Sequence, residues 1–240
     1  MIEIIRHHGT LLLVGSWPNG PLGGIAVTLL LAALGMILSF PIAILIGLAR
    51  IGEWRWSRYA ATAWVYAFRG IPLVMIIFWA YFVLPRVTGV AVPAFATALS
   101  AIVVYESAFL GEIVRAGLQG LPPGQLEAAR SIGLSYRLAM WHVMLPQALA
   151  NMLPSLVNQF VSTIKATSIV YIIGVQEVTF AAQQINSFEP DKALQTFVVL
   201  ACFYFTVCYL ISALAQYLER RLRSRRQWRT PPTPTGQEAT

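Results

Sequence analysis

The chain has 240 residues, of which 57% are hydrophobic and 11% are charged, and its mean hydropathy is +0.65. Water-soluble domains carry about 25% charged residues, so this composition excludes a soluble globular protein and indicates an integral membrane protein. The formal net charge is +7. No aromatic and basic recognition pattern accompanies this charge. We therefore attribute it to membrane orientation and lipid headgroup contact and expect no nucleic-acid partner.

Five hydrophobic runs are long enough to cross a bilayer, because about 20 apolar residues span the hydrocarbon core as a helix. They predict membrane spans over residues 24–48, 61–85, 96–118, 147–173 and 195–218. The apolar stretch at 11–14 is too short to span and carries no cleavage pattern, so we expect no removable signal peptide. The expected fold class is all-α integral membrane, with one transmembrane domain over residues 1–229. The Pro-rich residues 230–240 are expected to be a disordered tail.

Basic residues flank these runs unequally. One side carries Arg50, Arg55, Arg58, Arg115, Arg130, Arg137, Arg220, Arg221, Arg223, Arg225, Arg226 and Arg229. The other side carries Arg6, Arg86 and Lys192, with Glu177, Glu189 and Asp191 beside them. Lys and Arg are enriched in cytoplasmic loops. The pattern therefore predicts an extracytoplasmic N-terminus and a cytoplasmic C-terminus.

The reactive residue types show no catalytic or metal-binding arrangement. Cys202 and Cys208 are six residues apart in one span and so lie on different helix faces. The three histidines have no neighbouring cysteines or carboxylates at metal-ligand spacing. Neither Lys165 nor Lys192 belongs to a phosphate-binding loop motif. We expect no catalytic residue and no metal site, and the chain cannot itself be an ATPase.

A polar segment at about 119–146 separates the third and fourth predicted spans. Pro122, Pro123 and Gly124 end the preceding helix, and residues 125–132 have helix-forming composition. Gly133 permits a tight turn. Ser135 can then cap a second short helix, which we expect to end before Pro146.

This segment contains the triplet Glu127-Ala128-Ala129, then Gly133, then Leu145-Pro146. The E-A-A triplet alone is a common helical sequence, but the combination resembles the cytoplasmic coupling segment of importer-type ABC permeases. The resemblance implies a fold like that of type I ABC importers. It also implies that a short coupling helix bearing Glu127, Ala128, Ala129 and Gly133 docks into a cleft of a separate ATPase subunit. That partner would bind ATP and Mg²⁺, and this chain would hold no cofactor.

Further motifs extend the resemblance over roughly residues 22–222. They are F-R-G-I-P-L at 68–73, G-E-I-V-R-A-G at 111–117, L-P-Q-A at 145–148 and K-A-T-S-I at 165–169. These are similar to elements of permeases for polar amino acids, although many relatives carry an acid where this chain has Ala166. Residues 71–75 with Phe78 and Trp79 look most like the glutamate/aspartate branch.

The resemblance also implies the rest of the assembly. The chain would be the permease subunit of a polar amino acid importer in the bacterial inner membrane. Its partners would be a second permease copy or paralogue, cytoplasmic ATPases and an extracytoplasmic solute-binding protein.

Charged residues inside membrane spans are costly and normally face a partner or a water-filled cavity. Glu112 and Arg115 lie three residues apart near the cytoplasmic end of the third span, which favours a local ion pair. Arg69 lies at a similar depth. We expect these three residues to form a gate or a structural charge network.

Glu106 and Lys165 lie deeper, about 16 Å and about 12 Å from the outer ends of their spans at ~1.5 Å per residue. Helical spacing also predicts one polar stripe composed of Asn151, Ser155, Asn158, Ser162 and Lys165, bordered by Gln159 and Thr163. We expect a substrate pathway lined by Glu106, Asn158, Gln159, Ser162 and Lys165. Two alternatives stay open: Glu106 and Lys165 could neutralise each other as a structural pair, and the Ser and Asn side chains could simply bond neighbouring helices.

A secondary transporter or channel is the alternative function, with the intramembrane charges carrying ions or protons. Such a protein would have no use for a coupling segment, and the chain shows no inverted-repeat organisation. A membrane-embedded enzyme is a more distant possibility, since no nucleophile and base are paired.

Overall fold

The computed structural model describes residues 2–122 and 124–227, and within these ranges the chain is helical and contains no strand. The helices are α1 (Ile2–Val14), α2 (Gly24–Ile51), α3 (Arg55–Gly70), α4 (Leu73–Thr88), α5 (Ala94–Gln119), α6 (Gly124–Ser131), α7 (Tyr136–Ile173), α8 (Val178–Phe188) and α9 (Ala193–Gln227). The predicted all-α class is confirmed. Pro123, Arg229 and the predicted tail at 230–240 lie outside the described residues.

Four helices, α2, α5, α7 and α9, are long and apolar enough to cross a membrane. The predicted second span is not one straight helix, because α3 and α4 are bent by 99° at the short break between Gly70 and Leu73. Pro72 has no N–H to donate and disfavours helical geometry in the residue before it. Ile71 is accordingly extended, with φ −103° and ψ 132°.

The directions of α2 and α5 show that the bent α3–α4 pair crosses the bundle from the end of α2 back to the start of α5. Gly35 of α2 packs against Ile102 of α5, and Gly47 packs against Val114. Residue numbers increase together along the two helices, so α2 and α5 are parallel. Two parallel membrane helices need a connection that crosses back between them. Residues 52–93 provide it, and the fold therefore has five crossings.

The remaining helices alternate in direction. Glu106 of α5 contacts Gln159 of α7, whereas Gly117 contacts Met152, so α5 and α7 are antiparallel. The contacts of α7 with α9 likewise run in opposite directions along the two helices. One end of the bundle, here called the α8 end, contains the starts of α2, α5 and α9. The opposite end, the α6 end, contains the end of α5 and the short helix α6.

The fourth span begins earlier than the sequence indicated. A short helix was expected to end before Pro146, but the helical backbone continues from Tyr136 through Pro146 as a single element. A π-helical turn at Met140–Met144 precedes Leu145, which places Pro146 in the first turn of the following α-helical stretch. Across this wider turn the Leu145 N–H donates to the Met140 carbonyl, so the missing N–H of Pro146 removes one hydrogen bond without ending the helix. The predicted break was therefore wrong.

Glu177 joins three helices at the α8 end and is fully buried. Its carboxylate caps α8 by accepting hydrogen bonds from the backbone N–H groups of Thr179 at 2.9 Å and Phe180 at 2.8 Å. It also accepts hydrogen bonds from the hydroxyls of Tyr204 on α9 at 3.1 Å and Thr28 on α2 at 3.5 Å. These contacts fasten the short α8 helix to the transmembrane bundle.

Burial raises the pKa of the Glu177 carboxyl to about 7, although its backbone hydrogen bonds act in the opposite direction. A carboxyl with a raised pKa stabilises the folded state most when it is protonated, and this contribution is lost as pH rises through about 7. We expect the unfolding temperature of the purified protein to be several degrees lower at pH 8 than at pH 5.5. Glu177→Gln, which cannot ionise, should reduce that difference.

Differential scanning fluorimetry of the protein in detergent measures this effect. Glu53→Gln removes an exposed carboxylate at the other end of the bundle and should keep the wild-type pH response. An undiminished pH response in Glu177→Gln would contradict the assignment.

Candidate functional site

Glu106 is a fully buried carboxylate in the middle of α5. Gln159 of α7 donates a hydrogen bond from Nε2 to Glu106 Oε2 at 2.8 Å. The other carboxylate oxygen, Oε1, has no hydrogen-bond partner. Thr163, one helical turn after Gln159, lies beside the same carboxylate. An unsatisfied oxygen on a buried carboxylate is costly, so Glu106 is prepared to accept a donor from an additional group.

The polar stripe predicted on α7 does not lie on the helix face that carries Gln159 and Thr163 and meets Glu106. Asn158, Ser162 and Lys165 are exposed, as are Asn151 and Ser155, whereas Thr163 is buried. Of the residues expected to line one pathway, the structure brings Gln159 to Glu106 and turns Asn158, Ser162 and Lys165 away. The periodicity located the stripe but did not show which neighbouring helix each face meets.

Lys165 and Asn158 approach α9. Lys165 lies within electrostatic range of Cys208. Asn158 lines a groove together with Ser212 and Gln216. No ion pair joins Glu106 to Lys165, since none of the salt bridges between described side chains contains either residue. The structural-pair alternative therefore has no support in the geometry.

A charge network connects α2 to α5 near the α6 end. Arg115 donates hydrogen bonds to Glu112 across three residues of α5, in agreement with their spacing. Arg50 of α2 contacts the same carboxylate, and Arg115 also contacts Gln119. Sequence reasoning did not place Arg50 in this network, because nothing in the sequence shows that α2 packs against α5.

Arg69 does not join this network. Its guanidinium carbon lies 5.2 Å from the ring centroid of Phe109 on α5. The side chain is exposed, and none of the ion pairs among described residues includes it.

The polar segment after α5 forms a short helix with one exposed face. In α6, Glu127 and Ala128 are exposed, whereas Ala129 is buried and its carbonyl accepts the N–H of Leu134 at 3.2 Å. Gly133 has a φ of +90°, as a tight turn after the helix requires.

Ser135 caps the following turn by accepting the N–H of Leu138 at 3.4 Å, as its position after Gly133 predicted. Large apolar side chains on this segment are also solvent-exposed: the exposed fraction is 79% for Ile132, 50% for Trp141 and 47% for Leu138. The segment thus presents an apolar surface beside small and charged residues.

Comparison with known proteins assigns the fold. Residues 39–224 match the family described as "Binding-protein-dependent transport system inner membrane component". The chain belongs to this family. It is the permease subunit of a binding-protein-dependent amino acid ABC importer and a multi-pass membrane protein. Members of the family are the membrane components of importers that pair with ATPases and solute-binding proteins.

Among its relatives, the permease is 38% identical to the probable glutamine ABC transporter permease protein GlnP of Bacillus subtilis (strain 168) over 82% of this chain and 91% of that protein. It is 34% identical to the glutamate transport system permease protein GluD of Corynebacterium glutamicum, over 88% of this chain and 78% of that protein. A solved structure, "Crystal structure of an amino acid ABC transporter with histidines", has a TM-score of 0.75 at 33% identity over 82% of this chain and 92% of its own.

The separation of Glu106 from Lys165 predicts the outcome of a charge exchange. We expect Glu106→Gln to reduce amino acid uptake at least tenfold, because it replaces a buried carboxylate that has one unpartnered acceptor oxygen. The exchange Glu106→Lys with Lys165→Glu should stay below a tenth of wild-type uptake, since the two side chains are not partners. Uptake is measured at matched membrane abundance, with Lys165→Met as the single-site reference. Substantial recovery in the exchange variant would show that the residues pair after all.

Proposed function

We propose that the permease, together with a second copy or a paralogue, forms the pathway by which a polar amino acid leaves a solute-binding protein and enters the cytoplasm. Separate ATPase subunits bind ATP and Mg²⁺ and hydrolyse the ATP, whereas this chain binds no cofactor and performs no catalysis. The observation that carries the proposal is the exposed face of α6, where Glu127 and Ala128 lie beside exposed apolar side chains. Docking into an ATPase cleft would cover this surface.

The orientation rests on charge. The connections at the α6 end carry exposed arginines, including Arg55, Arg58, Arg130 and Arg137. Those at the α8 end carry few basic residues, and Lys192 there contacts Glu3 and Glu189. The α6 end is therefore the cytoplasmic end, and the N-terminus lies outside.

The exposed polar stripe on α7 supports a second permease. Asn158, Ser162 and Lys165 would be costly against lipid tails, because the hydrocarbon offers them no hydrogen-bond partner. A second permease facing this stripe, with a water-filled path between the two subunits, provides the polar environment that these side chains need. Arg69 and the Arg50–Glu112–Arg115 network lie on the same path or at its cytoplasmic gate.

The substrate class follows from the relatives and from the site. The relatives' names include glutamine, glutamate, arginine and cystine. These amino acids differ in side-chain charge but share an α-ammonium group and an α-carboxylate. Glu106, with one free oxygen and with Gln159 and Thr163 beside it, suits the α-ammonium group. Ala166 adds no acid to the pathway, which is compatible with glutamate or aspartate as the narrower substrate.

The orientation can be tested by cysteine labelling in a background that lacks Cys202 and Cys208. Ser187 is exposed at the α8 end, and Ser131 is exposed at the α6 end. We expect a membrane-impermeant maleimide to label Ser187→Cys in spheroplasts and Ser131→Cys only after the membrane is opened. Labelling of Ser131→Cys in sealed spheroplasts would reverse the orientation.

The coupling role can be tested at α6. Glu127→Lys reverses the charge of the exposed helix. Gly133→Asp puts a side chain at a backbone position with φ of +90°, and so distorts the turn that presents the helix. Both variants should reduce ATP hydrolysis stimulated by the binding protein at least fivefold. Glu53→Lys, an exposed charge reversal outside α6, serves as the matched control. Normal stimulation in both coupling variants, at normal abundance, would overturn the proposal.

A further inference from the structure

Arg69 places a positive charge in the interior of the membrane. Its contact residue Phe109 is 15 residues after the start of α5 at Ala94 and ten before its end at Gln119. At ~1.5 Å per residue, these separations correspond to about 22 Å and about 15 Å from the two ends of the helix. A guanidinium at this depth needs a water-filled cavity or a negatively charged partner.

The described residues do not supply that negative partner. Of the nearer carboxylates of α5, Glu112 is bound by Arg50 and Arg115, and no ion pair between described residues joins Arg69 to Glu106. The aromatic face of Phe109 attracts the cation but does not neutralise it. Arg69 therefore retains its capacity for bidentate hydrogen bonding to a carboxylate.

The helix break beside Arg69 leaves space for a ligand. Gly70 is exposed, and a Cβ built on it would meet no atom within 4 Å. The extended Ile71 separates α3 from α4 at this point. Open space next to an unpaired guanidinium is what a small anionic group requires.

Arg69 also lies close to the acidic site on α5. Tyr105 is within electrostatic range of both Glu106 and Arg69, and its ring centroid lies 4.7 Å from that of Phe109. Glu106 and Phe109 are three residues apart on α5, so the acid with a free oxygen and the base without an acidic partner meet this helix within about one turn of each other. This arrangement complements a zwitterion, whose two charges have opposite sign and lie a few ångströms apart.

We propose that Arg69 binds the α-carboxylate of the transported amino acid; this inference rests on the proposed function and deepens it. Lys165, the cation that the sequence suggested for this role, lies beside α9 instead. The carboxylate is common to all α-amino acids. Arg69 therefore selects for the class of substrate and leaves discrimination among side chains to other residues.

The test uses the permease with its ATPase and solute-binding protein in proteoliposomes, with radiolabelled L-glutamine and L-glutamate as probes. We expect Arg69→Gln to lower uptake at least tenfold, Arg69→Lys to lose less, and Arg58→Gln, an exposed arginine of the same helix, to match wild type. Stimulation of ATP hydrolysis by the empty binding protein should persist in Arg69→Gln, because the coupling surface is unchanged.

A competition measurement separates carboxylate binding from a structural role. Binding of L-glutamine or L-glutamate to the permease–ATPase complex in nanodiscs, without the binding protein, is challenged with the unlabelled amino acid or its α-amide. In wild type the amino acid should compete at least tenfold better than the amide, and Arg69→Gln should remove this preference. If Arg69→Gln does not reach the membrane, Arg69→Lys is compared with wild type instead, and its preference for the amino acid over the amide should be reduced but not abolished.

The outcomes are distinguishable. Two results would overturn the role of Arg69 and leave the proposed function standing. In the first, the wild-type complex imports the amino acid and Arg69→Gln shows the same uptake. In the second, the wild-type complex binds the α-amide as tightly as the amino acid. A wild-type complex that imports none of the polar amino acids, with aspartate tested beside glutamine, glutamate, arginine and cystine, overturns the proposed function, and the role of Arg69 with it.

Discussion

The close parallel packing of α2 against α5 is the contact on which the rest of the fold depends. Gly35, Gly47 and Gly111 bring the helices so near that an added Cβ at these positions would meet side-chain carbon of the facing helix at 2.6, 2.5 and 2.7 Å. Lipid tails offer little hydrophobic drive for helix association, so small residues that allow close approach determine which helices pair.

This parallel arrangement determines the path of the intervening chain. Residues 52–93 must return across the bundle, and they do so through two helices that meet at a 99° bend. The bend leaves Arg69 at the end of α3, in the interior and beside open space. A second consequence is that Arg50 lies level with Glu112. The glycine contacts therefore position both the structural charge network and the unpaired cation.

Two buried glutamates differ in how many hydrogen-bond donors surround them. Glu177 accepts hydrogen bonds from two backbone N–H groups and two hydroxyls, three of them at Oε2 and one at Oε1, and it fastens α8 to the bundle. Glu106 accepts one side-chain hydrogen bond and keeps an oxygen free. Both are fully buried. The surrounding elements therefore provide four hydrogen-bond donors to Glu177 and one to Glu106.

Local rules predicted some features of the chain and failed at others for identifiable reasons. The hydrophobic runs, the turn at Gly133 and the cap at Ser135 follow from apolar length and local backbone chemistry. The structure contains the turn and the cap, and it forms the five runs as four long helices and one pair of helices bent by 99°. The two prolines gave opposite results. Pro72 follows Gly70 and breaks its helix, whereas Pro146 follows a π-helical turn and continues one. The presence of a proline does not by itself predict whether a helix ends there, because this depends on the backbone hydrogen bonds of the preceding turn.

The sequence by itself determined the class of protein, the hydrophobic runs, the short polar helix after the third run and the family, since each depends on composition or on residues near one another in the chain. It could not decide what each helix face meets. Gln159 and Asn158 are adjacent, yet one contacts Glu106 and the other lines a groove with α9. Likewise, Arg50 rather than Arg69 contacts Glu112, 62 residues away. Periodicity defines the faces of a helix, but only the packing of helices distant in sequence decides which charges are paired and which remain available to a substrate.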